Sequence, residues 1–144
     1  MSNTDITTYT EINWDQLDSA IAAYPPDMPA VMLNLLRFHE TAHYGDASYT
    51  ACSGQEAYLT RYIPAFNNVV GPLGGSEMVY GGAVLAGIVG EADQPWHAVG
   101  LVRYPRLQTF YDVTRNAEYL ATAEPHRKAA LADWRLYLSA PLAP

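Results

Sequence analysis

The fold of this chain is decided by residues 96–131, WHAVGLVRYPRLQTFYDVTRNAEYLATAEPHRKAAL. Residues 96–104 alternate apolar side chains with a period of two, which predicts a strand. The spacing of apolar residues at 107–114 predicts a short amphipathic helix. Residues 117–132 then form one helix broken at Pro125 or two short helices, because proline interrupts the helical hydrogen-bond ladder. This stretch therefore predicts a strand that leads into helices.

Hydrophobic periodicity predicts five further elements on either side of that stretch. They are a helix at 14–24, a strand at 30–38, a helix that begins after Ser53 and is interrupted at Pro64, a strand at 77–89 and a closing strand at 134–138. With the leading helix set aside, the order is β-α-β-β-α-β, the α+β plan called ferredoxin-like. We expect residues 1–28 to form an N-terminal arm and helix, and residues 29–144 to form a single domain.

Composition narrows the classes of partner. The chain is 49% hydrophobic but only 16% charged, which favours burial of one sheet face against a second copy in a homodimer. Its formal net charge is −7 and Lys128 is its only lysine, so we expect neither nucleic acid nor an anionic membrane as partner. Cys52 is the only cysteine, and neither a signal segment nor a membrane-spanning apolar run is evident. These features predict a cytoplasmic protein.

The sequence offers three candidate catalytic residues, His126, Arg127 and Arg103. Histidine titrates near neutral pH and suits general acid or base catalysis, whereas arginine can hold a carboxylate or a developing enolate. The alternative for His126 and Arg127 is a surface helix end, or an arginine bonded to a backbone carbonyl or to Glu118. The alternative for Arg103 is a salt bridge to Glu77, Glu91 or Asp133.

Asn34 and Arg37 are candidate substrate-binding residues on the first strand. Side chains alternate across a strand, so these two residues lie on opposite faces. Asn34 shares its face with Met32 and Leu36, and a polar group buried there needs a hydrogen-bond partner. We expect it to line a pocket or to bond within a subunit interface.

Tyrosine is abundant, with 11 residues, and it combines an apolar ring with a polar tip suited to a small apolar or aromatic ligand. Tyr58 and Tyr62 are one helical turn apart and are expected to face the same cavity. For most of the tyrosines, packing in the core or an interface is the alternative.

The sequence indicates no cofactor and no metal. His39 and His43 have helical spacing, but they fall in a loop pattern without a third ligand. Cys52 lacks a local helper beyond His43, and no nicotinamide, flavin or phosphate-loop fingerprint is present.

The chain resembles the bacterial family called domain of unknown function 1330, in the dimeric α+β barrel superfamily. Five segments carry the resemblance: VMLNLLRF (31–38), SGQEAY (53–58), WHAVGLVRYP (96–105), NAEY (116–119) and HRKAAL (126–131). The chain departs from the family pattern at Arg106, where a helix-capping serine is usual, and at Ala117, where many members have proline.

The resemblance implies a homodimer in which two sheets pack face to face. It also implies a pocket between sheet and helices, with Tyr119 as a lining residue. It implies no particular reaction, since the superfamily includes monooxygenases, cyclases, isomerases and haem enzymes.

Three functions are consistent with these residues. The first is a cofactor-independent lyase, isomerase or cyclase that moves a proton through His126 while Arg127 or Arg103 holds negative charge. The second is a non-catalytic dimeric protein that binds a small ligand, as in a stress response. The third is a cofactor-free monooxygenase acting on an aromatic substrate in a tyrosine-rich pocket.

Overall fold

A computed structural model describes residues 7–142 of the chain. The helices are α1 (Trp14–Ala23), α2 (Gly54–Glu56), α3 (Ile63–Val70), α4 (Leu107–Arg115), α5 (Ala117–Thr122) and α6 (Glu124–Ala130), with a π-helical turn at Ala57–Tyr62 and a 3-10 turn at Gly71–Leu73. The strands are β1 (Ala30–Phe38), β2 (Glu77–Ala83), β3 (Ala98–Tyr104) and β4 (Leu131–Ser139).

The four strands form an antiparallel sheet in the order β2-β3-β1-β4. This order and the β-α-β-β-α-β succession after α1 confirm the ferredoxin-like α+β fold. Asn34 lies at the centre of the sheet, opposite Gly100 on β3 and Leu136 on β4. The extra helix α1 packs on α4, where the rings of Trp14 and Tyr111 meet edge to face.

Helix starts follow the local chemistry of the sequence. The side chains of Asn13 and Ser53 accept hydrogen bonds from the backbone N–H groups of Gln16 and Glu56, so each residue caps the start of a helix. Arg106 occupies the N-cap position of α4 and its side chain makes no capping hydrogen bond.

Two of the expected helix interruptions are present. Pro64 lies in the first turn of α3, directly after the π-helical turn, where the hydrogen-bond register of the helix changes. Pro125 lies in the first turn of α6 and separates it from α5. The helix expected to run to residue 132 ends at Ala130, because Leu131 already belongs to β4.

The strand predicted at 77–89 is wrong beyond Ala83. Pairing with β3 stops at Ala83 opposite Ala98, and the last ladder-like bond runs from the N–H of Val84 to the oxygen of His97. The residues that follow have no partner strand among residues 7–142, and Leu85 and Ile88 are 91% and 88% exposed. The segment after Ala83 is therefore an exposed loop, although its sequence is apolar.

The two faces of the sheet differ. On β1, Met32, Asn34, Leu36 and Phe38 are buried beneath the helices, while the alternate positions are half-buried on the open face. No helix among residues 7–142 is long and apolar enough to cross a membrane.

Candidate functional site

A cavity of about 690 Å³ lies between the helix-facing side of the sheet and the π-helical turn, α3, α4 and α5. It lies within the size range of small-molecule sites, and most of its wall is apolar or aromatic. Tyr58, Tyr62, Tyr119 and Asn34 line it, as expected from the sequence and the resemblance. His126, Arg127, Arg103 and Arg37 are not among the lining residues.

A chain of hydrogen bonds leads from a buried cation to the cavity. Arg127 donates from Nε to the Tyr119 hydroxyl oxygen at 3.2 Å, and the Tyr119 and Tyr62 hydroxyls are 3.0 Å apart. Two hydroxyls carry two hydrogens, and one of them is used in the bond between the two tyrosines. The other hydrogen has no acceptor within residues 7–142, so this pair presents one spare donor at the cavity wall.

Arg127 is only 2% exposed, and its remaining contacts hold it in place. Its NH1 donates to the Thr10 oxygen at 2.7 Å, and its NH2 donates to Glu124 at 3.3 Å. The guanidinium also lies over the ring of Trp134, 4.8 Å from the centroid. The guanidinium is thus held behind the tyrosine pair by its hydrogen bonds to Thr10 in the N-terminal arm and to Glu124 in α6.

Asn34 finds the partner that its buried position requires. Trp134 donates from Nε1 to Asn34 Oδ1 at 3.0 Å, and Asn34 donates from Nδ2 to the Gly100 oxygen at 3.4 Å. The carboxamide has two N–H hydrogens, so one remains without an acceptor in the described part of the chain. Because Asn34 also lines the cavity, it supplies a second donor there.

Burial holds two tyrosines of the cavity, Tyr58 and Tyr62, in their neutral form. Burial raises the pKa of Tyr62 well above its usual value, and the neighbouring Tyr119 and Tyr58 raise it further. Burial likewise raises the pKa of Tyr58, with a further contribution from Tyr119. Neutral phenols donate hydrogen bonds, so the polar groups at the centre of this cavity suit a ligand that accepts them.

His97 is a lining residue that the sequence did not identify as a site residue. Its Nδ1 accepts a hydrogen bond from the backbone N–H of Phe38 at 3.0 Å, and its ring stacks on the Phe38 ring. Because Nδ1 accepts this bond, the ring hydrogen lies on Nε2, which acts as a donor. The sequence held no signal for this role, because it depends on how β1 and the start of β3 meet.

His126 lies outside the cavity, in an aromatic cluster on the loop that follows β1. Its Nδ1 is 2.6 Å from the Tyr44 hydroxyl, and the Tyr44 and Tyr49 rings both meet its ring edge to face. Burial lowers the pKa of His126, and the positive charge of Arg61 lowers it further. These contacts attach α6 to the loop and leave His126 apart from the cavity-lining residues.

Arg103 and Arg37 also lie away from the cavity. Arg103 is exposed and pairs with Glu77 on the neighbouring strand, the alternative considered for it from the sequence. Arg37 projects from the open face of the sheet, on the opposite side from Asn34. The structure therefore brings together Asn34, Tyr58, Tyr62 and Tyr119, and separates the two arginines from them.

His39 and His43, in the loop that follows β1, stack face to face with ring centroids 3.6 Å apart. Burial lowers the pKa of His39, and the charges of His43 and Arg37 lower it further. Within residues 7–142 no group of three or more His, Cys, Asp and Glu side chains is placed to hold a metal ion.

The comparisons with known proteins found relatives among solved structures. The chain is 30% identical to the RPA0582 protein of Rhodopseudomonas palustris, described as a protein of unknown function and a structural genomics target, with a TM-score of 0.80. The match covers 96% of this chain and 100% of that one. The structure of methylated RPA0582 protein matches at 29% identity with a TM-score of 0.76, over 96% of this chain and 98% of that one. No family model and no curated protein matches the chain.

Proposed function

We propose that this chain, which belongs to the same family as the RPA0582 protein of Rhodopseudomonas palustris, binds a small, mainly apolar ligand that carries a hydrogen-bond-accepting oxygen. The ligand lies in the cavity between sheet and helices, and its oxygen accepts from the Tyr62–Tyr119 pair. The supporting observation is the hydrogen-bond chain from Arg127 through Tyr119 to Tyr62, which leaves one donor at an otherwise mostly apolar wall. The resemblance to the domain of unknown function 1330 family, with its pocket in the same place, adds support.

The chemistry of the wall favours a neutral acceptor such as a ketone or quinone oxygen. Tyr62 and Tyr119 present a spare O–H, and Asn34 presents a spare N–H. Arg127 acts through Tyr119 and is already paired with Glu124, and no arginine or lysine among residues 7–142 lines the cavity. An unpaired carboxylate would lose its hydration without gaining a direct counter-ion, which is costly.

Calorimetry with two isosteric naphthalenes tests this proposal. Acetylnaphthalene and ethylnaphthalene have nearly the same shape and differ chiefly in the carbonyl oxygen. Because a net hydrogen bond contributes about 1 kcal/mol, we expect the ketone to bind about fivefold more tightly. Equal affinities, or no binding of either compound, would contradict the proposal.

A second candidate function is catalysis of enolisation, as in an isomerase or cyclase. The observation that favours it is the charge of Arg127 directly behind the tyrosine pair, since a developing enolate oxygen would be stabilised through the same hydrogen bonds. The C–H bond next to the carbonyl breaks and its electrons form the C=C bond of the enolate, while the C=O π electrons move to the oxygen and the proton passes to water. This route gives His126 no part, because it lies outside the cavity.

Deuterium exchange distinguishes the two functions. If the protein catalyses enolisation, the methyl protons of acetylnaphthalene exchange with deuterated solvent faster in its presence, and substitution of Tyr62 by phenylalanine slows that exchange. A pure binding protein leaves the exchange rate unchanged while the ketone still binds. Proton NMR of the methyl signal measures both outcomes.

We also propose that the protein is a homodimer, with the open sheet faces of two copies in contact as in a dimeric α+β barrel. The support is the row of half-buried apolar side chains on that face, which includes Val31, Leu33 and Leu35 on β1 and Val99 and Leu101 on β3. The test is light scattering after size exclusion. We expect a dimer for the natural chain and for Leu120→Glu, an exposed helix position, but a monomer for Leu33→Glu. A monomeric natural chain would contradict this part of the proposal.

A further inference from the structure

A second cavity of about 630 Å³ lies beside the first, beneath the N-terminal arm and α1. Its lining includes Tyr9 and Ile12 from the arm, Leu17 and Ala20 from α1, and Leu138 from β4. None of these residues borders the first cavity. The second cavity lies along β4, since Trp134, Arg135, Leu136, Tyr137 and Leu138 all line it.

The two cavities share a wall. The side chains that line both of them are Met32, Phe110, Trp134 and Leu136. Met32 is unbranched and has several rotatable bonds, so it can change shape at little cost, and Leu136 is only half-buried. The layer that divides the cavities is therefore thin and includes one adaptable side chain.

The arm that covers the second cavity is held at several points. Asp133 accepts a hydrogen bond from the N–H of Tyr9 at 2.9 Å, and Arg135 stacks over the Tyr9 ring at 4.5 Å. Arg127 donates to the Thr10 oxygen from the same guanidinium that supports Tyr119 at the first cavity. The roof of the second cavity and the polar end of the first are thus fixed by one side chain.

We propose that the two cavities form one binding site with two compartments, which takes an elongated ligand. This inference rests on the proposed function: the oxygen-bearing part occupies the first compartment at Tyr62, and an alkyl or aryl tail passes Met32 into the second. The class of ligand is then a ketone or quinone with a long apolar side chain. Leu17, Ala20 and Leu138 give the second compartment an apolar part that suits such a tail, while Glu11, Asn13, Gln16 and Arg135 also line the compartment.

The experiment is calorimetry on naphthyl ketones whose alkyl chain is lengthened one methylene at a time from acetylnaphthalene. Burial of a methylene corresponds to about a fourfold gain in affinity. We expect that gain to continue through the longer members, as the tail enters the second compartment. A plateau after the shortest members would contradict the two-compartment site.

Variants that fill the second compartment locate the tail. Ala20→Phe places a ring in the compartment, and Ala22→Phe makes the same change on the exposed side of α1 as a matched control. We expect Ala20→Phe to abolish the gain in affinity with alkyl chain length and to change the affinity for acetylnaphthalene by less than twofold. We expect Ala22→Phe to change neither quantity. Gln16→Trp, at an exposed position that also lines the compartment, provides a second test if Ala20→Phe does not fold.

The outcomes separate this inference from the proposed function. If acetylnaphthalene does not bind, the proposed function fails and the inference fails with it. If acetylnaphthalene binds but Ala20→Phe, or Gln16→Trp in its place, gives the same chain-length dependence as Ala22→Phe, only the two-compartment site is overturned.

Discussion

His126 and Arg127 are neighbours on α6, yet they belong to different parts of the molecule. Arg127 turns inward, is 2% exposed and supports Tyr119 behind the cavity. His126 turns outward to the loop, where it meets Tyr44 and Tyr49. Adjacent helical residues point about 100° apart, so one helix can serve a binding cavity with one side chain and fasten a loop with the next.

The difference shows what a buried polar group needs in order to act on a ligand. Both residues meet a tyrosine hydroxyl, but only the tyrosine bonded to Arg127 borders the cavity. The inner pair is surrounded by low-dielectric core, where hydrogen bonds are stronger and unpaired groups cost more. We call Arg127, Tyr119 and Tyr62 the inner network, and His126, Tyr44 and Tyr49 the outer cluster. We expect substitutions in the inner network to lower stability strongly and matched substitutions in the outer cluster to lower it little.

The largest effect is expected from Arg127→Met. The change removes a buried cation and leaves Tyr119, Thr10 and Glu124 without their donor. Since removing one partner of a buried ion pair costs roughly 3–5 kcal/mol and Glu124 is partly exposed, we expect the free energy of unfolding to fall by about 3 kcal/mol. Urea denaturation measures this, with Arg106→Met at an exposed position as control; equal losses in the two variants would argue against the inward role of Arg127.

A smaller effect is expected from matched tyrosine substitutions. Tyr119→Phe leaves the buried Arg127 Nε without an acceptor, so we expect a loss of about 2 kcal/mol. Tyr44→Phe removes the partner of a half-buried His126 that water can reach, so we expect a loss of about 0.5 kcal/mol. The same urea titration compares them, and a larger loss for Tyr44→Phe would reverse the ranking of the two networks.

The smallest effect is a dependence on pH that comes from the outer cluster. Burial and Arg61 lower the pKa of His126 in the folded chain below its usual value of 6.5. The unfolded chain therefore binds more protons between the folded pKa and 6.5, so stability is full above that range and is lost as the pH falls through it. Urea midpoints at neutral and at mildly acidic pH check this: the natural chain should lose more stability than His126→Gln, and an identical loss would remove His126 as a cause.

Periodicity and local capping made much of the fold predictable. The bounds of β1 and the starts of α1 and α4 follow from the pattern of apolar residues. Asn13, the N-cap of α1, also marks where that helix begins. The end of β2 at Ala83 was not predictable, because an apolar segment that lacks a partner strand has the same sequence pattern as one that pairs.

The site was predictable in part. Asn34 and Tyr62 lie at positions whose inward direction follows from strand alternation and helical spacing, while their roles in binding stay predictions. The partner of Asn34 is Trp134, which lies 100 residues away and is set only by the order of strands in the sheet. Which of His126 and Arg127 faces the core depends on how α6 packs, and no local pattern determines that.

The most direct test of the proposed binding mode compares two double substitutions of tyrosine by phenylalanine. Tyr62→Phe with Tyr119→Phe removes the spare cavity donor, whereas Tyr44→Phe with Tyr49→Phe makes the same change in the outer cluster. The measured quantity is the ratio of dissociation constants for ethylnaphthalene and acetylnaphthalene. We predict that the ratio falls from about five to about one in the inner variant and stays at about five in the outer variant. A ketone preference that survives in the inner variant would contradict the assignment of the ligand oxygen to this tyrosine pair.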